Sequence, residues 1–78
     1  MSQITEQEIL DVLTKDFADS EIIVKDQLGD GYSFDIFVKS TLFNNLIKVK
    51  QHQLVMSSLK DLLSYKLHAV TIKTQKTN

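Results

Sequence analysis

Seventy-eight residues suffice for a single domain built on one small core. A formal net charge of −1 gives no overall attraction to nucleic acid, anionic membranes or acidic substrates, and the absence of cysteine excludes disulfides, thiol nucleophiles and thiolate metal ligands. The opening MSQITEQEIL lacks the apolar run of a signal peptide and no segment is apolar for long enough to cross a bilayer, so the chain reads as soluble and cytoplasmic, with no membrane partner.

Thr5 followed by Glu8 is a capping-box pattern, in which each side chain satisfies a backbone amide of the other at a helix start. A helix is predicted from there to about Ala18–Ser20. Ile9, Leu10, Val12, Leu13 and Phe17 share its packed side, and Asp11, Thr14 and Lys15 face water. The β-branched run Ile22-Ile23-Val24 predicts a strand from Glu21 to Leu28, and Gly29-Asp30-Gly31 supplies the turn residues of a hairpin. Tyr32 to Lys39 returns as a second strand. Tyr32, Phe34, Ile36 and Val38 lie on one face, and Ser33, Asp35, Phe37 and Lys39 on the other, where Phe37 interrupts the polar pattern.

Ser40 is placed to cap a short helical turn through Leu42 and Phe43, and Asn44-Asn45 breaks the pattern before a long helix opening KQHQLV at Lys50 and closing near Leu63. At about 100° per residue, Val49, His52, Val55, Met56, Leu59, Leu62 and Leu63 fall on one stripe, so His52 is expected to face the core, with Ile47 and Leu54 on the opposite side. A last strand, LHAVTIKT, places His68, Val70 and Ile72 on one face, and residues 1–4 and 75–78 read as flexible ends.

The element order is helix, strand, strand, short helix, helix, strand. A helical crossover between the second and third strands makes their pairing parallel and right-handed, which brings the start of the third strand, with His68, towards the hairpin tip Gly29 to Tyr32. His52 then lies roughly 16 Å along the helix from its other end at 1.5 Å per residue, so the two histidines do not chelate one ion.

The run SFDIFV, the LFNN segment, the KQHQLV helix start, the GDG hairpin and above all LHAVTIKT, taken in this order and spacing, resemble the BolA family, in particular its short IbaG-like branch. The resemblance spans Ile9 to Thr74. It implies an α+β fold, αββααβ and related to the type II KH domain, with a three-stranded mixed sheet and helices packed on one face. It also implies a non-enzymatic role: a heterodimer with a monothiol glutaredoxin, bridged by a 2Fe-2S cluster that glutaredoxin and glutathione share, with His68 as this chain's metal ligand and Gly29, Asp30, Gly31 and Tyr32 on the cluster rim. Weak homodimerisation belongs to the same set of expectations.

This chain departs from the family pattern in its hairpin loop, LGDGYSF, which carries neither the Cys nor the His that often supplies a fourth ligand. Gln51 and Gln53 stand where many relatives have arginines, Asn45-Leu46 where they have Gly-Lys, and the chain stops at QKTN without the proline and aromatic tail of many relatives. The second reading is a nucleic-acid-binding transcriptional regulator that uses a KH-like or helix-turn-helix-like surface with Lys39, Lys48, Lys50 and His52. A third is a glutaredoxin adaptor that works without a cluster. No nucleophile elbow or phosphate loop occurs, so no enzyme is expected.

Overall fold

The computed structural model describes residues 4–29, 33–63 and 69–77, with Leu63 described in its backbone alone. Helix α1 (Glu6–Asp16) begins as the sequence dictates. Thr5 accepts from the Glu8 amide at 3.1 Å and its own amide donates to the Glu8 carboxylate at 3.0 Å, the reciprocal capping box. It ends at Asp16, short of Ala18, because Phe17 leaves the helical conformation as C-cap and drops its ring into the core, and Asp19 follows at φ 63°.

Strands β1 (Glu21–Asp26) and β2 (Ser33–Lys39) form the antiparallel hairpin, and β3 (Ala69–Gln75) pairs with β2 in parallel, giving the sheet order β1-β2-β3. The register sets Ile23 beside Phe37 and Phe37 beside Lys73 on one face, and Val24 beside Ile36 and Ile36 beside Ile72 on the other. A 3₁₀ turn (Thr41–Phe43), capped by the Ser40 hydroxyl accepting from the Leu42 amide, leads towards helix α2 (Lys48–Leu63). The fold is therefore α+β, with a three-stranded mixed sheet and two helices.

The core lies between the helices and one sheet face. Phe34, Ile36 and Val38 of β2 meet Ile9 and Leu13 of α1, Val55 and Leu59 of α2, and the rings of Phe17 and Phe43, whose centroids are 5.6 Å apart. Towards the ends, the described residues make defined contacts. Ile4 is buried in that core, Gln75 completes β3, and the Thr77 amide donates to the Asn44 side chain at 2.9 Å.

The long helix departs from its expected facing. It starts at Lys48, and its buried stripe is Gln51, Val55 and Leu59, with Leu62 partly covered. His52 is exposed, as are Val49 (60%) and Met56 (41%), so the helix is turned by about one residue from the all-apolar stripe. A buried amide explains the turn. Gln51 is 1% exposed, donates to the Leu46 carbonyl at 2.7 Å and to the Phe43 carbonyl at 3.5 Å, and accepts from the Thr74 hydroxyl. Its polar atoms are satisfied, so its burial costs little and the helix follows it inward.

Candidate functional site

Two ends of the sheet carry the residues singled out by sequence. At the end where β2 and β3 begin, Ala69 pairs with Ser33, and the neighbouring hairpin stem is held by short polar contacts. The Gln27 amide donates to the Ser33 carbonyl at 2.8 Å, and the Gln27 side chain donates to Asp35 at 2.6 Å. Asp26 accepts from the Gly29 amide at 3.0 Å, an Asx-type turn that steers the chain out of β1. Gly29 adopts φ +71°, a conformation that disfavours any side chain, although the space around it is open. The helix reaches this stem as well, since Glu6 of α1 accepts from the Asp26 amide at 2.7 Å.

Gly29 is thus the one hairpin-rim candidate among the described residues. Asp30, Gly31, Tyr32 and the proposed ligand His68 lie outside them. Among the described residues no three His, Cys, Asp or Glu side chains gather as a metal-binding group. What the fold contributes here is register: the parallel β2–β3 pairing aligns the first described residue of β2 with that of β3.

At the other end, where the strands finish, the three lysines have different surroundings. Lys48 donates its ammonium to the Thr74 carbonyl and approaches the Thr74 hydroxyl at 3.5 Å, so its charge closes the end of β3. Lys39 shares the outer sheet face with Phe37, and Lys50 is exposed on α2. An open groove of about 560 Å³ runs between the start of α2 and the end of β3, with Asn45, Ile47, Lys48 and Gln75 on its walls. His52 belongs to none of these groups.

Sequence reasoning passed over Gln51 and Thr74 as a buried pair. Gln51, Val55 and Leu59 recur at i, i+4 and i+8, the spacing of a single helix face, and admitting a glutamine into the apolar pattern would have found the stripe.

The described residues contain no helix long and apolar enough to cross a membrane. Comparison with known proteins matches the family model for BolA-like protein over residues 13–78. The uncharacterized protein RP812 of Rickettsia prowazekii is 35% identical over 71 residues, covering 91% of this chain and 92% of that one. The solution NMR structure of RP812, described as a BolA-like hypothetical protein, superposes with a TM-score of 0.75 at 32% identity over 99% of this chain and all of its own. The BolA domain of SufE1 from Arabidopsis thaliana matches with a TM-score of 0.82 at 26% identity, over 92% of this chain and 91% of that domain. Yeast Fra2 matches with a TM-score of 0.79 at 30% identity, over 96% and 82%. On the family model, the RP812 sequence and the shared fold together, the chain belongs to the BolA-like family.

Proposed function

We propose that this protein is a non-enzymatic adaptor that docks on a monothiol glutaredoxin and takes part in iron-sulfur cluster assembly, transfer or iron regulation, with His68 as its one ligand to a bridging 2Fe-2S cluster. Family membership supports the adaptor role. The observation that carries the location is the parallel register of Ser33 with Ala69, the residues that follow Tyr32 and His68 in the chain.

The donor chemistry fits a shared cluster and not one held by this chain alone. A protein without cysteine offers iron an imidazole and oxygen atoms, so the thiolates come from glutaredoxin and glutathione. Asp30, Gly31, Tyr32 and Gly29 form the proposed rim, and Asp30 is its one carboxylate.

The test is anaerobic cluster reconstitution of the chain with a monothiol glutaredoxin and glutathione, read by visible circular dichroism. The wild-type chain is expected to give a spectrum distinct from that of the glutaredoxin homodimer. His68→Ala is expected to lose it, while His52→Ala keeps it. A wild-type chain that leaves the glutaredoxin spectrum unchanged yet co-elutes with glutaredoxin points to the cluster-free adaptor. The nucleic-acid reading draws on Lys39, Lys48 and Lys50, of which Lys48 also donates to the Thr74 carbonyl.

A further inference from the structure

Charges on the outer sheet face are matched across strands. Glu21 of β1 stands opposite Lys39 of β2, and Lys25 opposite Asp35. Opposite charges at directly paired positions stabilise a sheet. Lys73 of β3 breaks the pattern, because its neighbour on β2 is Phe37. The nearest acid on that strand, Asp35, already faces Lys25 and accepts from Gln27. The position across from Lys73 on its other side is where a fourth strand would stand.

The edge on that side is built to accept one. Among the described residues β3 is a terminal strand of the sheet. It runs for seven residues, AVTIKTQ, with no proline and no glycine, and the one usual device against edge pairing that it carries is Lys73, a guard that an opposing carboxylate neutralises. The Ser40 amide donates to the Gln75 carbonyl, so the odd-numbered residues of β3 turn their backbone groups towards β2. Alternation turns those of Val70, Ile72 and Thr74 outward. Lys48 takes the Thr74 carbonyl, which ends the usable edge there and leaves Val70 and Ile72 as its pairing residues. The opposite edge differs: the outward amide of Asp26 in β1 is occupied by Glu6 of α1.

We propose that the β3 edge binds an extended, antiparallel segment of a partner protein, a segment that pairs its backbone with Val70 and Ile72 and sets a carboxylate opposite Lys73. Lys73 occupies a non-hydrogen-bonded position on that edge, where facing side chains come closest. A second copy of β3 does not meet the requirement, since AVTIKTQ contains no acid. Strand addition of this kind takes affinity from the backbone and selectivity from alternate side chains.

The experiment titrates the full chain, labelled with nitrogen-15, with seven-residue peptides of alternating threonine and valine that carry Glu, Gln or Lys at the position facing Lys73. The Glu peptide is expected to shift the Val70 and Ile72 amides and to bind about two- to fivefold more tightly than the Gln peptide. Lys73→Glu is expected to reverse the order of the Glu and Lys peptides. N-methylation of the peptide residue paired with Ile72 is expected to abolish binding, whereas N-methylation of the residue facing Lys73, whose amide points away, leaves it intact. No shift of Val70 and Ile72 at millimolar peptide, equal affinity for all three peptides, or concentration-dependent shifts without peptide, which mean self-pairing, each overturn the proposal. None of these readouts involves iron, glutathione or His68, so this proposal and the cluster reading fail separately.

Discussion

Where β2 and β3 finish, a glutamine, a threonine and a lysine satisfy one another and the carbonyls of the turn before α2; where the same strands begin, the described contacts run along the hairpin stem and end at a glycine in open space. The first end pairs these polar groups inside the molecule, beside the open groove. The second holds its backbone in place with Asp26, Gln27 and Glu6 and leaves Gly29 exposed. The difference separates work within one small domain: one end secures the long helix, the other braces the hairpin stem beside the rim proposed above for partner binding.

Substitutions sharpen this division, and the largest effect belongs to the aromatic pair behind the secured end. Phe43→Ala removes a fully buried ring that packs on Phe17, and is expected to cost about 3–5 kcal/mol in urea denaturation, enough to unfold much of the population of so small a domain. Gln51→Leu strands the Leu46 carbonyl and the Thr74 hydroxyl, at about 1–3 kcal/mol. Combining it with Thr74→Val is expected to cost less than the two single changes summed, since removing both partners of a buried hydrogen bond is far cheaper than removing one. Additive losses in that cycle break the assignment of the pair. Gly29→Ala, at the other end, is expected to cost about 1 kcal/mol through its positive φ, with no clash to relieve. Should it exceed Gln51→Leu in the same denaturation series, the contrast between the ends is wrong. The smallest stability effect is expected for Lys73→Glu, an exposed strand position, within about 0.5 kcal/mol.

Most of the fold was legible because strong local signals agreed with one another. The Thr5–Glu8 cap, the alternation of Phe34, Ile36 and Val38, the Ser40 cap and the crossover that makes β3 parallel are each short-range or topological rules, and the structure keeps them all. The helix facing was not legible from hydrophobicity. The contact that sets it joins Gln51 to Thr74, 23 residues apart, and a pattern that counts apolar residues scores the glutamine as solvent. The same holds for Lys48, which reads as a surface cation and serves as a strand end. At the candidate site, Gly29 was read correctly as a turn residue, whereas the role proposed for His68, which lies outside the described residues, draws on family membership and on the register of the strand that follows it. Lys73 drew no notice, because its singularity emerges once the charges of three strands are laid side by side.

The parallel pairing of β2 with β3 also has a consequence in time. The hairpin closes between neighbours in sequence, whereas Ser33 meets Ala69 after the whole of α2 has been laid down. Contacts of such long separation form late. During synthesis β2 therefore waits with one flank unclaimed until β3 has followed α2 out of the ribosome, and the Thr74 latch closes with it. A late contact governs how slowly the protein comes apart more than how fast it assembles. The lifetime of the folded molecule accordingly rests in large part on the pairing of β3 and on its Thr74 latch.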